Sequence, residues 1–200
     1  MSRSDGKVDS TASQSEFFDS RAHTWEENCY PPPVRERLAA LIPEFGVRPG
    51  VLIPYLRRRI GPAGRIFAMD ISFQMFRQAR REITLPGDLA LRADAHHIPF
   101  ENGVFDRIIC FAAFPHFHDS AAVLREIARV VKAGGAVSVA HLMSRQELAT
   151  HHGGHPEVAR DVLPDDARMT GFFTAAGLSV PEIVDIPGRY LARAGSLSVG

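Results

Sequence analysis

Cysteine is scarce in this chain: Cys29 and Cys110 are the only two among 200 residues. Two isolated thiols give neither a disulfide framework nor the paired spacing of a zinc knuckle. An excess of charge of either sign is also lacking, with Lys+Arg and Asp+Glu at 23 each. That balance leaves no electrostatic footprint for nucleic acid or for an anionic membrane surface. No apolar run approaches the ~20 residues that a membrane-spanning helix requires. Residues 1–15 are polar and serine-rich. Without the apolar segment of a secretory signal, they read as a disordered tail. The expectation is a cytoplasmic protein whose partners include neither nucleic acid nor membrane; its oligomeric state stays open.

The hydrophobic content is 45%, enough for a sizeable core, and residues 16–200 read as a single domain. Its organising stretch is Gly64-Arg-Ile-Phe-Ala-Met-Asp-Ile-Ser72. Ile66 to Met69 is a short apolar run between a Gly-Pro-Ala-Gly turn and an acidic residue, the signature of a buried parallel strand. Asp70 then stands at the strand's carboxyl end, where ligands bind in open α/β sheets, and Ser72 can cap the following helix. A carboxylate there can accept hydrogen bonds from a ribose diol; it can equally serve as a helix-capping group.

The rest of the chain alternates in kind. Helices are predicted over 16–27 and, opened by Pro31-Pro32-Pro33, up to Gly46. A third covers 51–60, with Pro54 in its first turn and Arg57, Arg58 and Arg59 largely on the polar face. Met75, Phe76, Ala79 and Ile83 mark a helix after the first strand. Leu89 to Arg92 and Phe105 to Phe111 read as strands. Asp119 or Ser120 caps a helix that Gly134-Gly135 ends, and Ala136 to Leu142 is a fourth strand. Ser144-Arg-Gln-Glu147 forms a capping box on a short helix to His152, and 165–176 is another helix. Ile183 to Ile186 and Tyr190 to Ala194, separated by Pro187-Gly188, form a closing antiparallel hairpin. The pattern predicts an α/β fold: a mostly parallel sheet with helices on both faces.

Three segments carry a family resemblance: GRIFAMDISFQMFRQAR (64–80), LRADAHHIPFENGVFDRIICFAAFPHF (91–117) and LREIARVVKAGGAVSVAHL (124–142). Their order resembles the class I S-adenosylmethionine-dependent methyltransferases, in particular the ubiquinone/menaquinone-methyltransferase-like group. The resemblance implies a Rossmann-like methyltransferase sandwich, with N-terminal helices at 16–46, a cofactor core at 51–142, and acceptor-side helices and hairpin at 143–195. It implies S-adenosylmethionine as cofactor and a small organic molecule as methyl acceptor. By the same resemblance Asp70 and Ile71 hold the ribose and Asp94 and Ala95 the adenine. Cys110, Phe111, Ala112 and His116 line the methionine end and the acceptor pocket.

One departure stands out. The family opens with a strand that ends in an acidic residue and a Gly-x-Gly-x-Gly loop. Here Arg48-Pro49-Gly50 leads straight into Val51-Leu52-Ile53-Pro54, so the first strand is missing or replaced by Val51-Leu52-Ile53 as a short substitute. The loop's tight turn and its close backbone approach to a ligand go with it. A second reading follows, a non-catalytic binding or scaffolding module that retains the fold.

Eight of nine histidines fall between 96 and 155. His116 and His141, each following a predicted strand, are the candidate catalytic bases and are expected to face one cavity. No spacing matches a compact zinc signature such as His-Glu-x-x-His, so no metal ligands are assigned. A His-rich metal-dependent protein on the same framework is a third reading.

Overall fold

Short apolar runs divided by Gly, Pro and capping residues fix where each element begins and ends. The computed structural model describes Glu16, Asp19, Ser20 and residues 52–83 and 85–197. The expected helix at 31–46 lies outside these residues, as does most of 16–27. Helix α1 (Ile53–Ile60) carries Pro54 in its first turn. Strand β1 (Phe67–Asp70) follows, then α2 (Phe73–Glu82), whose cap is Ser72 accepting from the Met75 N–H. Next come β2 (Leu89–Arg92) and β3 (Phe105–Phe111). A 3-10 turn over Phe114–His116, not anticipated from the sequence, leads to α3 (Ser120–Val130), capped by Asp119. Strand β4 (Val131–His141), α4 (Arg145–Gly153) with its capping box, α5 (Asp166–Ala175), β5 (Glu182–Ile186) and β6 (Arg189–Gly195) complete the order.

Strand β4 begins earlier than the Gly134-Gly135 pair suggested. Val131 already pairs with Phe105, and the register then jumps so that Arg107 faces Ala136. The excess residues form a bulge in which Gly134 has φ +73°. A side chain on Gly135 would meet the Asp106 carbonyl at 2.9 Å. The two glycines therefore let a strand bulge rather than end a helix.

Among the described residues the sheet has two pieces, β1–β2 and β3–β4–β6–β5. β1 and β2 are parallel, as are β3 and β4, while β6 runs antiparallel to both β4 and β5. The expected substitute strand does not close the break between the two pieces among these residues. β1 and β3 do not pair, and Leu52 and Ile53 start a helix instead of forming a substitute strand.

Side chains join the two pieces. Phe67 of β1 sits 5.4 Å, centroid to centroid, from both Phe100 and Phe105, which are 4.9 Å apart. Such edge-on contacts contribute beyond the area they bury. Helix α1 joins them as well. Leu52 packs with Phe111, Ala140 and Leu191 of the larger piece, Ile53 packs with Ile66 and Ala79 beside the smaller one, and Leu56 touches both groups. The main core lies on the other face of the larger sheet, where Val123, Leu124, Ile127, Met169 and Phe173 cover Val137, Val139 and Ala192.

Arg57 is turned inward, contrary to its expected place on the polar face of α1. It donates to both Asp88 carboxylate oxygens at 2.6 and 2.5 Å and to the carbonyls of Gly61 and Gly64 at 2.6 and 2.8 Å. Asp88 Oδ1 also accepts the Ile66 N–H at 2.8 Å. One ion pair thus ties α1, the turn before β1 and the start of β2.

Candidate active site at the strand ends

Each of the parallel strands β1 to β4 is followed at its carboxyl end by candidate residues. Asp70 is the last residue of β1, and its Oδ1 accepts the Ser72 N–H at 2.8 Å. Ser72 is fully buried and hydrogen-bonds through its hydroxyl to Asp19; the same Asp19 oxygen accepts the Gln74 N–H at 3.1 Å. Two carboxylates therefore meet the first turn of α2, where unpaired N–H groups favour negative charge. Desolvation raises Asp70 to about 6; the Ser72 N–H opposes that shift and the Asp19 charge adds to it. Ile71 presents its carbonyl to Arg92 Nε at 2.8 Å. No sequence signal marked Asp19, which lies more than fifty residues from the group it contacts.

Asp94 follows β2. Its Oδ1 accepts both the His96 N–H at 2.9 Å and the His96 ring Nδ1 at 2.6 Å. Burial alone would raise Asp94, but these bonds and the charges of His96 and His97 hold it below the usual carboxylate range. The His96 ring stacks on His118 at 3.9 Å. Beyond Ala95 the loop is pinned from α3. Arg129 donates to the Ile98 and Phe100 carbonyls, and Glu126, paired with Arg129, accepts the Ile98 N–H. The Leu-Arg-Glu segment thus fixes the loop that carries Asp94.

At the end of β3, Cys110 and Phe111 point to opposite faces. Cys110 enters the main core, and burial pushes its thiol up to about 12, which removes it as a nucleophile. Phe111 lies against the Leu52 group, with its ring 6.3 Å from His141 and nearly parallel to it. Ala112 has φ +47°, an uncommon conformation for a residue with a side chain and one that marks functional loops.

His116 and His141 play different parts. His116 Nδ1 is 2.6 Å from Asp161 Oδ2. A carboxylate only accepts, so that nitrogen carries the proton and a neutral ring has its lone pair on Nε2. His141 has the opposite tautomer, because its Nδ1 accepts the Met143 N–H at 3.1 Å. Desolvation, and then the charges of His116, His152 and His151, hold His141 near 3. The His151 and His152 rings are neighbours, 5.9 Å apart. His152 is buried, donates from Nδ1 to the Asp161 carbonyl at 2.5 Å, and stands 5.2 Å from the His116 ring. Among the described residues, no group of three His, Cys, Asp or Glu side chains is arranged to hold a metal ion. Asp161 was not singled out from sequence, since it lies 45 residues from His116 in an unpatterned loop.

Comparison with known proteins defines the class. Residues 43–139 match the family described as "Methyltransferase domain". The chain is 33% identical over 150 residues to the biotin biosynthesis bifunctional protein BioCD of Bordetella avium; the match covers 69% of this chain and 32% of that protein. It is 36% identical over 92 residues to the ubiquinone/menaquinone biosynthesis C-methyltransferase UbiE of Ralstonia pickettii, covering 45% of this chain and 38% of the relative. The match therefore spans under two fifths of either relative. In structure it resembles a chain of the Haloferax volcanii complex between the Trm112 methyltransferase activator and a methyltransferase, with TM-score 0.72 and 20% identity, covering 92% of this chain and 98% of that one. The fold is the Rossmann-like methyltransferase fold, and residues 43–139 are similar to the methyltransferase domain of that class. Within that class its sequence is similar to the ubiquinone/menaquinone group.

Proposed function

We propose that this protein is an S-adenosylmethionine-dependent methyltransferase acting on a small organic molecule. The observation that carries the reading is the placement of Asp70: a carboxylate at the carboxyl end of a parallel strand, desolvated, and with hydrogen-bonding capacity beyond the Ser72 N–H. A ribose diol supplies the donors that such a group needs. On this reading Asp70 and Ile71 hold the ribose, and Asp94 and Ala95 the adenine. Cys110 lends its backbone, while Phe111 shapes the methionine end.

S-adenosylmethionine, when bound, supplies an electrophilic methyl carbon. The chain's residues orient the acceptor against it and remove a proton where the acceptor carries one. His116 is the base, through Nε2. His141 is the second catalytic candidate; its ring is neutral and its Nε2–H acts as a hydrogen-bond donor.

A second reading, a non-catalytic binding or scaffolding module, is favoured by one observation. Glycines 46, 50, 61 and 64 are the only ones between residues 43 and 66, and no two are spaced as Gly-x-Gly. Calorimetry with S-adenosylmethionine and S-adenosylhomocysteine separates the two. Saturable binding that Asp70→Ala weakens roughly tenfold to a hundredfold supports the enzyme. No binding supports the module.

A further inference from the structure

We propose that the outer face of α2 is a binding surface for single-stranded nucleic acid, with phosphates held by arginines and a base stacked on Phe73. The proposal goes beyond the methyltransferase reading and uses none of the residues assigned to the cofactor.

The chain is neutral overall, but its charge is unevenly spread. Residues 53–92, which contain α1, β1, α2 and β2, carry eight arginines against three carboxylates, and no lysine. One of those carboxylates, Asp88, is already engaged by Arg57. The smaller sheet piece is therefore a local concentration of positive charge that the whole-chain balance conceals. Arginine is also the cation whose planar fork matches phosphate oxygens and whose face stacks on aromatic rings.

Part of this charge is gathered about two rings. Met75 and Ala79 turn one face of α2 into the protein interior. Phe73, Phe76, Arg77 and Arg80 recur at helical spacing on another face, and with Arg81 they line an open cleft of about 430 Å³. Phe73 is 43% exposed. Its ring stands 6.1 Å from that of Phe76, with 33° between the planes. The guanidinium carbons of Arg77 and Arg92 each lie 5.9 Å from the Phe73 ring centre. Arg92 is held there by its bond to the Ile71 carbonyl. Among the described residues no carboxylate pairs with Arg77, Arg80 or Arg81.

Three kinds of polyanion meet such a charge. An acidic peptide needs the cations but has no use for an exposed pair of rings between them. An anionic membrane calls for apolar tips that enter the lipid, whereas these rings line a concave surface. A nucleic acid strand uses both features, with phosphates along the arginines and the π-face of a base against Phe73. A duplex keeps its bases stacked on one another, so the single strand is the form that fits.

Fluorescence anisotropy of a labelled short oligouridylate, titrated with the full chain, tests this. Saturable binding is expected, with log Kd rising against log salt by about 0.7 for each phosphate neutralised. Phe73→Ala should weaken it roughly tenfold, and Phe73→Trp should retain it. Arg77→Ala and Arg80→Ala should each weaken binding and flatten its salt dependence. All three side chains are exposed, so thermal melts of these variants should match the parent's. An abasic strand of equal length reads the stacking without any variant, and should bind roughly tenfold more weakly. No saturable binding, equal affinity for the abasic strand or for duplex RNA, or equal affinity in Phe73→Ala overturns the proposal. So does tighter binding to polyglutamate or to phosphatidylserine vesicles, which assigns the surface to an acidic protein segment or to a membrane. Calorimetry with S-adenosylmethionine decides the methyltransferase reading independently of these outcomes.

Discussion

Asp70 and Ser72 are joined by one short bond, the Ser72 N–H donating to Asp70 Oδ1 at 2.8 Å. Burial, with the Asp19 charge beside it, outweighs the Ser72 and Ile71 backbone N–H groups that favour the carboxylate, and its pKa in the folded state is about 6 against an ordinary 3.8. Because the folded value is the higher one, the native state binds the proton more tightly. The resulting stability is fully present below pH 3.8 and is lost as pH rises through 6. At pH 7.5 the charge is a burden that the fold carries for the site. Asp70→Asn should therefore raise stability by about 1–2 kcal/mol at pH 7.5 while weakening nucleoside binding. Thermal melts at pH 4 and 7.5 check this: the gap between variant and parent should widen at the higher pH. A gap of the same size at both values would count against it.

How much of this was legible in sequence depends on the range of the interaction. Local signals located elements well: Ser72, Asp119 and Ser144 each cap the helix they precede, because a capping bond spans only three residues. Strands β2 and β3 fall where their apolar runs predicted. The Gly134-Gly135 bulge was misplaced because part of its cause, the close carbonyl of Asp106, belongs to another strand, while the Val131 side chain and Lys132 carbonyl crowd Gly135 from β4 itself. Arg57–Asp88, Asp19–Ser72 and His116–Asp161 were out of reach for the same reason. Each joins residues 31 to 53 apart, and no periodicity encodes such pairs.

Acidification should destabilise the protein through His141. Its folded-state value, about 3, lies below its ordinary 6.5, so the unfolded chain binds the proton first. Stability is then lost progressively as pH falls from 6.5 toward 3, at up to about 1.4 kcal/mol per pH unit. Asp70 opposes this between pH 6 and 3.8, which makes the single variants more informative than the parent. His141→Gln should flatten the loss below pH 6.5, and Asp70→Asn should steepen it. Denaturant melts at pH 4.5, 5.5, 6.5 and 7.5 give both slopes. A parent and His141→Gln with parallel curves would refute the assignment.

The Arg57–Asp88 pair should be structurally critical. Asp88 is almost fully enclosed, with 2% side-chain exposure against 17% for Arg57. Removing one member of a buried pair leaves the other uncompensated, at a cost of about 3–5 kcal/mol. Asp88→Ala also strips the Ile66 N–H of its acceptor. Both Arg57→Ala and Asp88→Ala should lower the melting temperature markedly, and the double variant should lose less than their sum. Strict additivity would show that the contact carries no coupling energy.

The last prediction concerns the gap between the two sheet pieces. We infer that the family's first strand and glycine loop are missing from this chain, since Gly50 leads almost directly into α1. The gap is spanned by the Phe67, Phe100 and Phe105 rings and by Leu52 and Leu56. Apolar side chains can hold the sheets together, but among the described residues they offer no backbone partners that would join β1 to β3. Nor can they bring N–H groups at a helix start close to a ligand's carboxylate, as a glycine turn does. The chain as it stands should therefore bind adenosine weakly and gain little from the methionine portion of S-adenosylmethionine. Inserting an apolar strand with a Gly-x-Gly-x-Gly turn between Gly50 and Val51 should raise the melting temperature. It should also tighten S-adenosylmethionine binding tenfold or more, while leaving adenosine affinity nearly unchanged. Calorimetry with both ligands on both proteins reads the difference. If the parent already prefers S-adenosylmethionine to adenosine at micromolar affinity, something other than a glycine loop holds the methionine end, and the inference about the gap fails.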